Sequence, residues 1–287
     1  MSAQTSPDSQ KKVAYLGIKG AYSERAAAQY FGSAMEDVQC PSFAVILNLV
    51  ENGDVDHGIL PIENSLAGTV SQSYELLTDH HVKIQGEVIL KIEHALLALP
   101  GTRLEDLKQV RSHPQALAQC AAFLKAHNLE PVSWYNTAGS AKDLAAEPVS
   151  GVGAIAGADV AEMYGLDVLA TNIQDIPENY TRFFVLGQQE VPPAENNKTS
   201  LIFTTKHKPG ALVACLQCFA GRGINLTKIE SRPLRDRPWE YIFYMDFEGH
   251  TEDTTFQAAF ADLQEHTAFV RVLGSYPAAV MPVAEEK

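Results

Sequence analysis

The chain has 287 residues, of which 46% are hydrophobic and 20% charged, an ordinary composition for one or two globular domains. The net charge of −13 and the lack of a basic stripe exclude a nucleic-acid footprint, and no apolar run has membrane-spanning length. Because residues 1–12 lack the apolar core of a signal peptide, we expect a disordered N-terminal lead and a cytoplasmic protein with no nucleic-acid or membrane partner.

From Val13 onward, short apolar runs alternate with segments of helical periodicity. The run VAYLG is typical of a strand and YSERAAAQYF of a helix, and this alternation continues as far as DVLATN. It predicts an α/β fold with mostly parallel sheets over residues 13–188. In such sheets the ligand crevice lies at the carboxyl ends of the strands, where loops carry polar residues.

Two of these loops combine amide and hydroxyl side chains. In PIENSLAGTV, which follows the predicted strand HGILP, the candidates are Asn64, Ser65 and Thr69. The alternative is a helix N-cap, and both readings can hold because a helix N-terminus also attracts a carboxylate. Ser23 lies at the first strand-to-helix turn and is a further candidate.

The segment SHPQALAQC repeats this pattern later in the chain. Ser112 follows a predicted strand and Pro114 opens a predicted helix. Gln115 and Gln119 lie about one turn apart on one face of that helix. This segment therefore predicts a second polar wall of the crevice.

The stretch NYTRFFVLG, residues 179–187, joins polar side chains directly to an apolar strand. Burying a hydroxyl or a charge without a partner is costly. Thr181 and Arg182 therefore need either structural partners or a ligand, and these residues alone leave both alternatives open.

Composition changes at residues 189–198, QEVPPAENNK, which predicts a linker. Beyond it, residues 199–277 show strand and helix patterns in the order βαββαβ, which predicts a ferredoxin-like fold, and residues 278–287 form a tail. Cys215 and Cys218 have the spacing of metal ligands, but they lie on an apolar helix and no second cysteine pair accompanies them. The histidines form no metal-ligand motif. We therefore expect no metal site.

Seven segments resemble, in order, those of prephenate dehydratases. Beyond the segments quoted above, they include GIKGAYSERAA, NTAGSAKDLA and IQD, and KPGALVACLQCFAGRGINLTKIESRP resembles the family's C-terminal ACT domain. The resemblance covers residues 13–277. It implies a type II periplasmic-binding-protein-like catalytic domain of two lobes over residues 13–188 and a regulatory ACT domain over residues 199–277.

The resemblance also implies an activity, the decarboxylative dehydration of prephenate to phenylpyruvate in L-phenylalanine biosynthesis. Loss of carbon dioxide expels the ring hydroxyl and aromatisation drives the step, so no cofactor is expected and the protein supplies orientation and electrostatics. By resemblance, the hydroxyl of Thr181 assists the leaving oxygen, Arg182 binds a carboxylate and Phe183 packs beneath them. The positions of Asn64, Ser112 and Gln119 also contribute to the family's active site.

In the ACT region, the resemblance implies a binding site for L-phenylalanine as an allosteric effector. Its residues are Gly210, Ala211, Leu212, Val213, Asn225, Leu226, Glu230, Ser231, Arg232 and Pro233. Domains of this type bind the amino acid at a subunit interface, which implies a homodimer or homotetramer.

Two alternative functions remain open. The first is an arogenate dehydratase producing phenylalanine directly, and the second is a non-catalytic small-molecule binding protein. Ala21 occupies a position where the family often has threonine, and we expect this turn to influence the choice between prephenate and arogenate. No chorismate mutase or dehydrogenase region precedes Val13, so we expect one catalytic activity.

Overall fold

The computed structural model describes residues 10–234 and 237–282. Residues 1–9 of the predicted lead and 283–287 of the predicted tail lie outside the described residues. Strand pairing begins at Lys12, one residue earlier than expected. Among the described residues, no helix combines the length and apolar character that crossing a membrane requires.

The first two sheets and their helices account for residues 12–187. In chain order the elements are β1 (Lys12–Leu16), α1 (Tyr22–Phe31), β2 (Glu36–Cys40), α2 (Phe43–Asn52), β3 (His57–Asn64), β4 (Gly68–Thr69), α3 (Ser71–Asp79), β5 (Lys83–Lys91), β6 (Ala95–Ala98), a short 3-10 helix (Leu104–Asp106), β7 (Gln109–Ser112), α4 (Pro114–Gln119), α5 (Ala121–Ala126), β8 (Glu130–Ser133), α6 (Thr137–Ala146), β9 (Val152–Ala156), α7 (Asp159–Tyr164), β10 (Asp167–Thr171) and β11 (Tyr180–Gly187).

These elements form two lobes, each built on its own sheet. Lobe 1 has the strand order β2-β1-β3-β11-β5, with β4 paired to β3, and lobe 2 has the order β10-β6-β9-β7-β8. The chain crosses from lobe 1 to lobe 2 between β5 and β6 and returns between β10 and β11. The predicted two-lobed architecture of the type II periplasmic-binding-protein kind is therefore confirmed.

The strand directions differ from the expectation of mostly parallel sheets. Strands β1, β2 and β3 pair in parallel, as do β7, β8 and β9. The strands beside the crossovers run the other way, because β11 is antiparallel to β3 and β5, and β6 is antiparallel to β9 and β10. Both sheets are therefore mixed.

The helices that begin at the crevice have local reasons to start there. Pro114 is the first residue of α4. The ring of His113 caps this helix, because its Nδ1 accepts a hydrogen bond from the backbone N–H of Gln115. The side chain of Asn136 caps α6 by accepting from the backbone of Gly139 at 2.9 Å. Capping side chains thus define where α4 and α6 begin in lobe 2.

The third sheet follows in the predicted order βαββαβ. Its elements are β12 (Asn197–Thr205), α8 (Ala211–Ala220), β13 (Leu226–Pro233), β14 (Tyr241–Glu248), α9 (Thr254–His266) and β15 (Thr267–Pro277). The strands pair antiparallel in the order β13-β14-β12-β15. This sheet packs on lobe 1, where Tyr244 and Tyr276 share one buried apolar cluster with Phe184 and Leu186. One continuous core therefore joins the C-terminal sheet to lobe 1.

Candidate active site

A cavity of about 160 Å³ lies between the two lobes, at the carboxyl ends of the strands. Six of the predicted site residues line it: Ser23, Asn64, Gln115, Gln119, Thr181 and Phe183. They come from α1, β3 and β11 of lobe 1 and from α4 of lobe 2. The structure thus assembles one polar crevice from segments that lie far apart in the sequence.

Asn64 and Thr181 are paired across the neighbouring strands β3 and β11. Nδ2 of Asn64 lies 3.0 Å from Oγ1 of Thr181, 2.7 Å from Oδ1 of Asn179 and 3.1 Å from the Tyr180 carbonyl. Oδ1 of Asn64 accepts from two backbone N–H groups of the following turn, which fixes the orientation of the amide. Because Thr181 receives the Asn64 proton, its own hydroxyl proton is available to a ligand.

The amide of Gln119 is oriented in the same way from the opposite wall. Its Oε1 accepts from Nδ2 of Asn179 at 3.1 Å and lies 2.9 Å from Nε2 of His94. Two donors thus occupy the oxygen and leave the Nε2 group of Gln119 available as a donor at the cavity wall. Asn179 therefore links the amides of Asn64 and Gln119 across the lobes.

His94 lies on the crossover between β5 and β6 and is 2% exposed. Burial lowers the pKa of its imidazole below the ordinary value of 6.5, against a smaller upward effect of the Gln119 hydrogen bond. With Oε1 of Gln119 as the acceptor, the neutral ring donates from Nε2. Its Nδ1 lies 2.9 Å from the Tyr22 hydroxyl, which also donates to the Glu93 carbonyl at 2.7 Å. His94 therefore orients a site residue and has no proton left for the cavity.

The described residues that line this cavity include no aspartate, glutamate, lysine or arginine. An anion would instead meet hydrogen-bond donors and the N-termini of two ten-residue helices, α1 and α6. Tyr22 and Ser23 open α1 and line the cavity, as does Thr137, the first residue of α6. Helix N-termini carry unpaired N–H groups and favour negative charge. The cavity is therefore suited to a small carboxylate held by neutral donors.

Arg182 does not lie where the sequence analysis expected it. Successive strand residues point to opposite faces, so Arg182 points away from the cavity that Thr181 and Phe183 line. Its guanidinium binds Glu87 at 2.7 Å and Asp246 at 2.6 Å. This placement corrects the expectation that Arg182 meets a substrate carboxylate, because buried carboxylates of the protein already occupy it.

Three other predicted residues have structural partners and do not line the cavity. The buried Ser112 hydroxyl donates to the carbonyl of Ile155 at 2.8 Å, which corrects its expected catalytic role. The Ser65 hydroxyl bonds the backbone of residues 178 and 180, and Thr69 donates to Glu230 of β13 at 3.0 Å. The N-cap alternative for Asn64 is also wrong, because α3 begins only at Ser71.

Two further placements differ from expectation. Ala21 is the N-cap of α1, makes no side-chain capping bond and does not line the cavity. His94, Tyr22, His113 and Thr137 line it but were not predicted as site residues. The signal for His94 was a polar ring directly before the apolar run ALLAL. A separate cavity of about 410 Å³ borders His94 together with Arg25 and Asp159, but no predicted catalytic residue lines it.

Six of the ten predicted effector residues border a cavity, and they divide between two different cavities within this chain. Gly210, with φ +77° in the left-handed region, lies at a cavity of about 480 Å³ together with Ala211, Leu212 and Val213. The remaining six lie on β13 or directly before it: Asn225, Leu226, Glu230, Ser231, Arg232 and Pro233. The last two of these border a cavity of about 180 Å³ against α3.

Comparison with known proteins matches the chain to a family model, to relatives and to solved structures. The family model described as prephenate dehydratase matches residues 13–191. Arogenate dehydratase/prephenate dehydratase 2, chloroplastic, of Arabidopsis thaliana is 43% identical over 96% of this chain and 75% of its own length. The prephenate dehydratase of Arthrobacter aurescens, solved in complex with L-Phe, has a TM-score of 0.85 at 33% identity, covering 93% of this chain and 89% of that chain. GqqA, described as a novel type of quorum quenching acylase, has a TM-score of 0.87 at 33% identity. The match covers 94% of this chain and 98% of that chain.

Proposed function

The chain belongs to the prephenate dehydratase family, and we propose that Thr181, oriented by Asn64, assists departure of the ring hydroxyl of prephenate. The reaction yields phenylpyruvate, carbon dioxide and water. The observation that carries the proposal is the 3.0 Å contact from Nδ2 of Asn64 to Oγ1 of Thr181. It leaves the threonine proton free to stabilise the departing oxygen.

The other cavity residues hold the substrate in the reactive orientation. As carbon dioxide leaves, electrons pass through the ring to the carbon that bears the hydroxyl, and the ring becomes aromatic. A free threonine hydroxyl is a weak acid, so Thr181 contributes a strengthened hydrogen bond and not full protonation, and the departing hydroxide takes its proton from solvent to form water. Carboxylates are bound by the side-chain amide N–H of Gln119 and by the N-termini of α1 and α6. Phe183 supports the ring.

The relatives are named for both prephenate and arogenate, so the preferred substrate is decided by experiment. Purified protein is supplied with prephenate and arogenate in parallel, and phenylpyruvate and phenylalanine are quantified. We expect phenylpyruvate from prephenate at the higher kcat/KM. Phenylalanine formed faster from arogenate would reverse the preference, and no product from either would support the non-catalytic binding protein.

The fold alone does not choose the reaction, because folds host several activities. GqqA shares this fold at 33% identity and is named an acylase. The family match and the Asn64–Thr181 pair together favour dehydration. Phenylpyruvate or phenylalanine formed in the same product assay would establish dehydration, since acyl transfer would form neither from these substrates.

We further propose that residues 199–277 form an ACT regulatory domain that binds L-phenylalanine, with residues 189–198 as the linker, although the last two of these already belong to strand β12. The βαββαβ order, the open turn at Gly210 and the L-Phe complex of the Arthrobacter aurescens relative support this. Because the two effector motifs border different cavities in one chain, the complete site is expected between subunits of a homodimer or homotetramer. The cytoplasmic location stays a prediction.

Calorimetry with the full-length protein tests the effector site. L-phenylalanine is expected to bind the oligomer and to lower activity through a coupling free energy of about 1–3 kcal/mol. Light scattering on the same sample gives the subunit number. Absence of heat and of inhibition in an oligomeric, active sample would refute the regulatory proposal and leave the catalytic one intact.

A further inference from the structure

The strands that carry Asn64 and Thr181 present a second pair of side chains on their opposite face. Thr181 pairs with Asn64, and Arg182 pairs with Glu63, in the register of β11 against β3. The first pair borders the cavity. The second pair faces the C-terminal sheet, as the partners of Arg182 and Glu63 show.

Arg182 is held between two domains by buried carboxylates. Its Nε lies 2.7 Å from Oε2 of Glu87 on β5, and its Nη2 lies 2.6 Å from Oδ2 of Asp246 on β14. The Glu87 side chain is 0% exposed and the Asp246 side chain 3%. Other contacts support both carboxylates, since Lys198 reaches Glu87 at 2.9 Å and Ser200 donates to Asp246 at 2.6 Å.

Strand β13 makes a second connection to the same strand pair. Nζ of Lys228 lies 2.9 Å from Oε1 of Glu63, the residue before Asn64. Two residues along β13, Glu230 accepts the hydroxyl of Thr69 at 3.0 Å. Thr69 lies on β4, which pairs with Glu63 and Asn64 across the hairpin. Strand β13 also carries the proposed effector motif at residues 230–233.

We infer that Asp246 and Lys228 of the C-terminal domain are positioning residues for the dehydratase site, acting through Arg182 and Glu63 on the backbone of Thr181 and Asn64. A buried charge that loses its partner is costly, so the guanidinium and β14 are expected to move as one unit. A displacement of β13 and β14 against lobe 1 therefore shifts both cavity residues. This inference rests on the catalytic roles proposed for Thr181 and Asn64.

The test is kinetic and uses the full-length chain. Asp246→Asn keeps the side-chain shape and an acceptor for Ser200 but removes the charge that faces Arg182. We expect kcat for prephenate to fall about fivefold or more, the lower range of coupling between sites, with KM changed less than about twofold. Where L-phenylalanine inhibits the wild type, its effect on the variant is expected to weaken by a similar factor.

Asp262→Asn is the matched control, because Asp262 lies 2.7 Å from Arg222 entirely within the C-terminal domain. Its kcat and KM are expected to equal those of the wild type. Lys228→Gln provides a second variant that cuts the other connection, and it decides the question if Asp246→Asn fails to fold.

The outcomes separate the two proposals. Absence of wild-type turnover refutes the proposed reaction. Wild-type turnover, with both positioning variants matching Asp262→Asn in kcat and in inhibition, overturns the positioning role alone. A folded variant with a lowered unfolding temperature but the control's kcat at 25 °C shows a merely structural ion pair and also overturns it.

Discussion

Replacing Thr181 with valine removes one hydroxyl from the cavity and keeps the β-branched shape that suits strand β11. The structure indicates a small effect on folding. Nδ2 of Asn64 keeps two other acceptors, Oδ1 of Asn179 at 2.7 Å and the Tyr180 carbonyl at 3.1 Å. The lost hydrogen bond therefore leaves no unsatisfied donor, and the free energy of unfolding should change by only about 0.5–1.5 kcal/mol.

The expected effect on turnover is much larger. If the Thr181 hydroxyl stabilises the departing oxygen, its removal costs about 10²–10³ in kcat, which is typical for one preorganised donor. This corresponds to about 2.7–4 kcal/mol of transition-state stabilisation. Thr181→Ser keeps a hydroxyl and should retain more activity than the valine variant.

The assay is the rate of phenylpyruvate formation from prephenate, with circular dichroism to establish folding. Thr204→Val is the control, because Thr204 is likewise a strand threonine, although it is buried where Thr181 is half-buried, and its Oγ1 has no hydrogen-bond partner among the described residues. That control should retain wild-type kcat. A folded Thr181→Val protein with kcat within threefold of the wild type would show that this hydroxyl is not the donor.

Two further predictions concern neighbouring groups. His94→Phe removes a donor to Gln119 and should lower kcat/KM about tenfold in the prephenate assay, the effect of roughly one hydrogen bond; wild-type kcat/KM in a folded variant would contradict this. Because burial lowers the pKa of His94 below 6.5, the unfolded chain binds this proton more readily, so wild-type stability falls as pH drops through the window below 6.5. Urea unfolding at pH 5.5 and 7.5 should show a smaller difference for His94→Phe. Ala21→Thr supplies the missing cap of α1 and should raise stability by about 0.5–2 kcal/mol, whereas an unchanged or lowered calorimetric unfolding temperature would rule out capping.

Some of the candidate site followed from local sequence, but the partners of several residues did not. Thr181 and Asn64 were predicted by motif, and local pattern identifies the apolar strands that they border: Asn64 ends β3 and Thr181 lies at the start of β11. Strand periodicity places Arg182 and Thr181 on opposite faces, but the expectation that Arg182 binds substrate did not take this into account. The partners of Arg182 could not be predicted from local sequence, because Asp246 lies 64 positions away and in a different sheet.

Sheet order explains the other differences. Ser112 is buried, and its hydroxyl donates to the carbonyl of Ile155 on the neighbouring strand β9. No local pattern identifies β9 as that neighbour. The direction of β11 is likewise set by the return crossover from lobe 2, which is a property of the whole topology. The role of His94 depends on a contact that sequence does not show, since the fold places Gln119 2.9 Å from its ring.

The location of β11 between β3 and β5 bears on the order of folding during synthesis. The strands of lobe 2 all lie within residues 95–171, so this lobe can assemble as soon as that segment leaves the ribosome. Lobe 1 cannot close its sheet until residue 187 has emerged, because β11 is the strand that joins β5 to β3. A chain paused before that point exposes two unpaired strand edges that can pair with other chains. A nascent chain is therefore expected to be most prone to aggregation immediately before Thr181 completes the cavity.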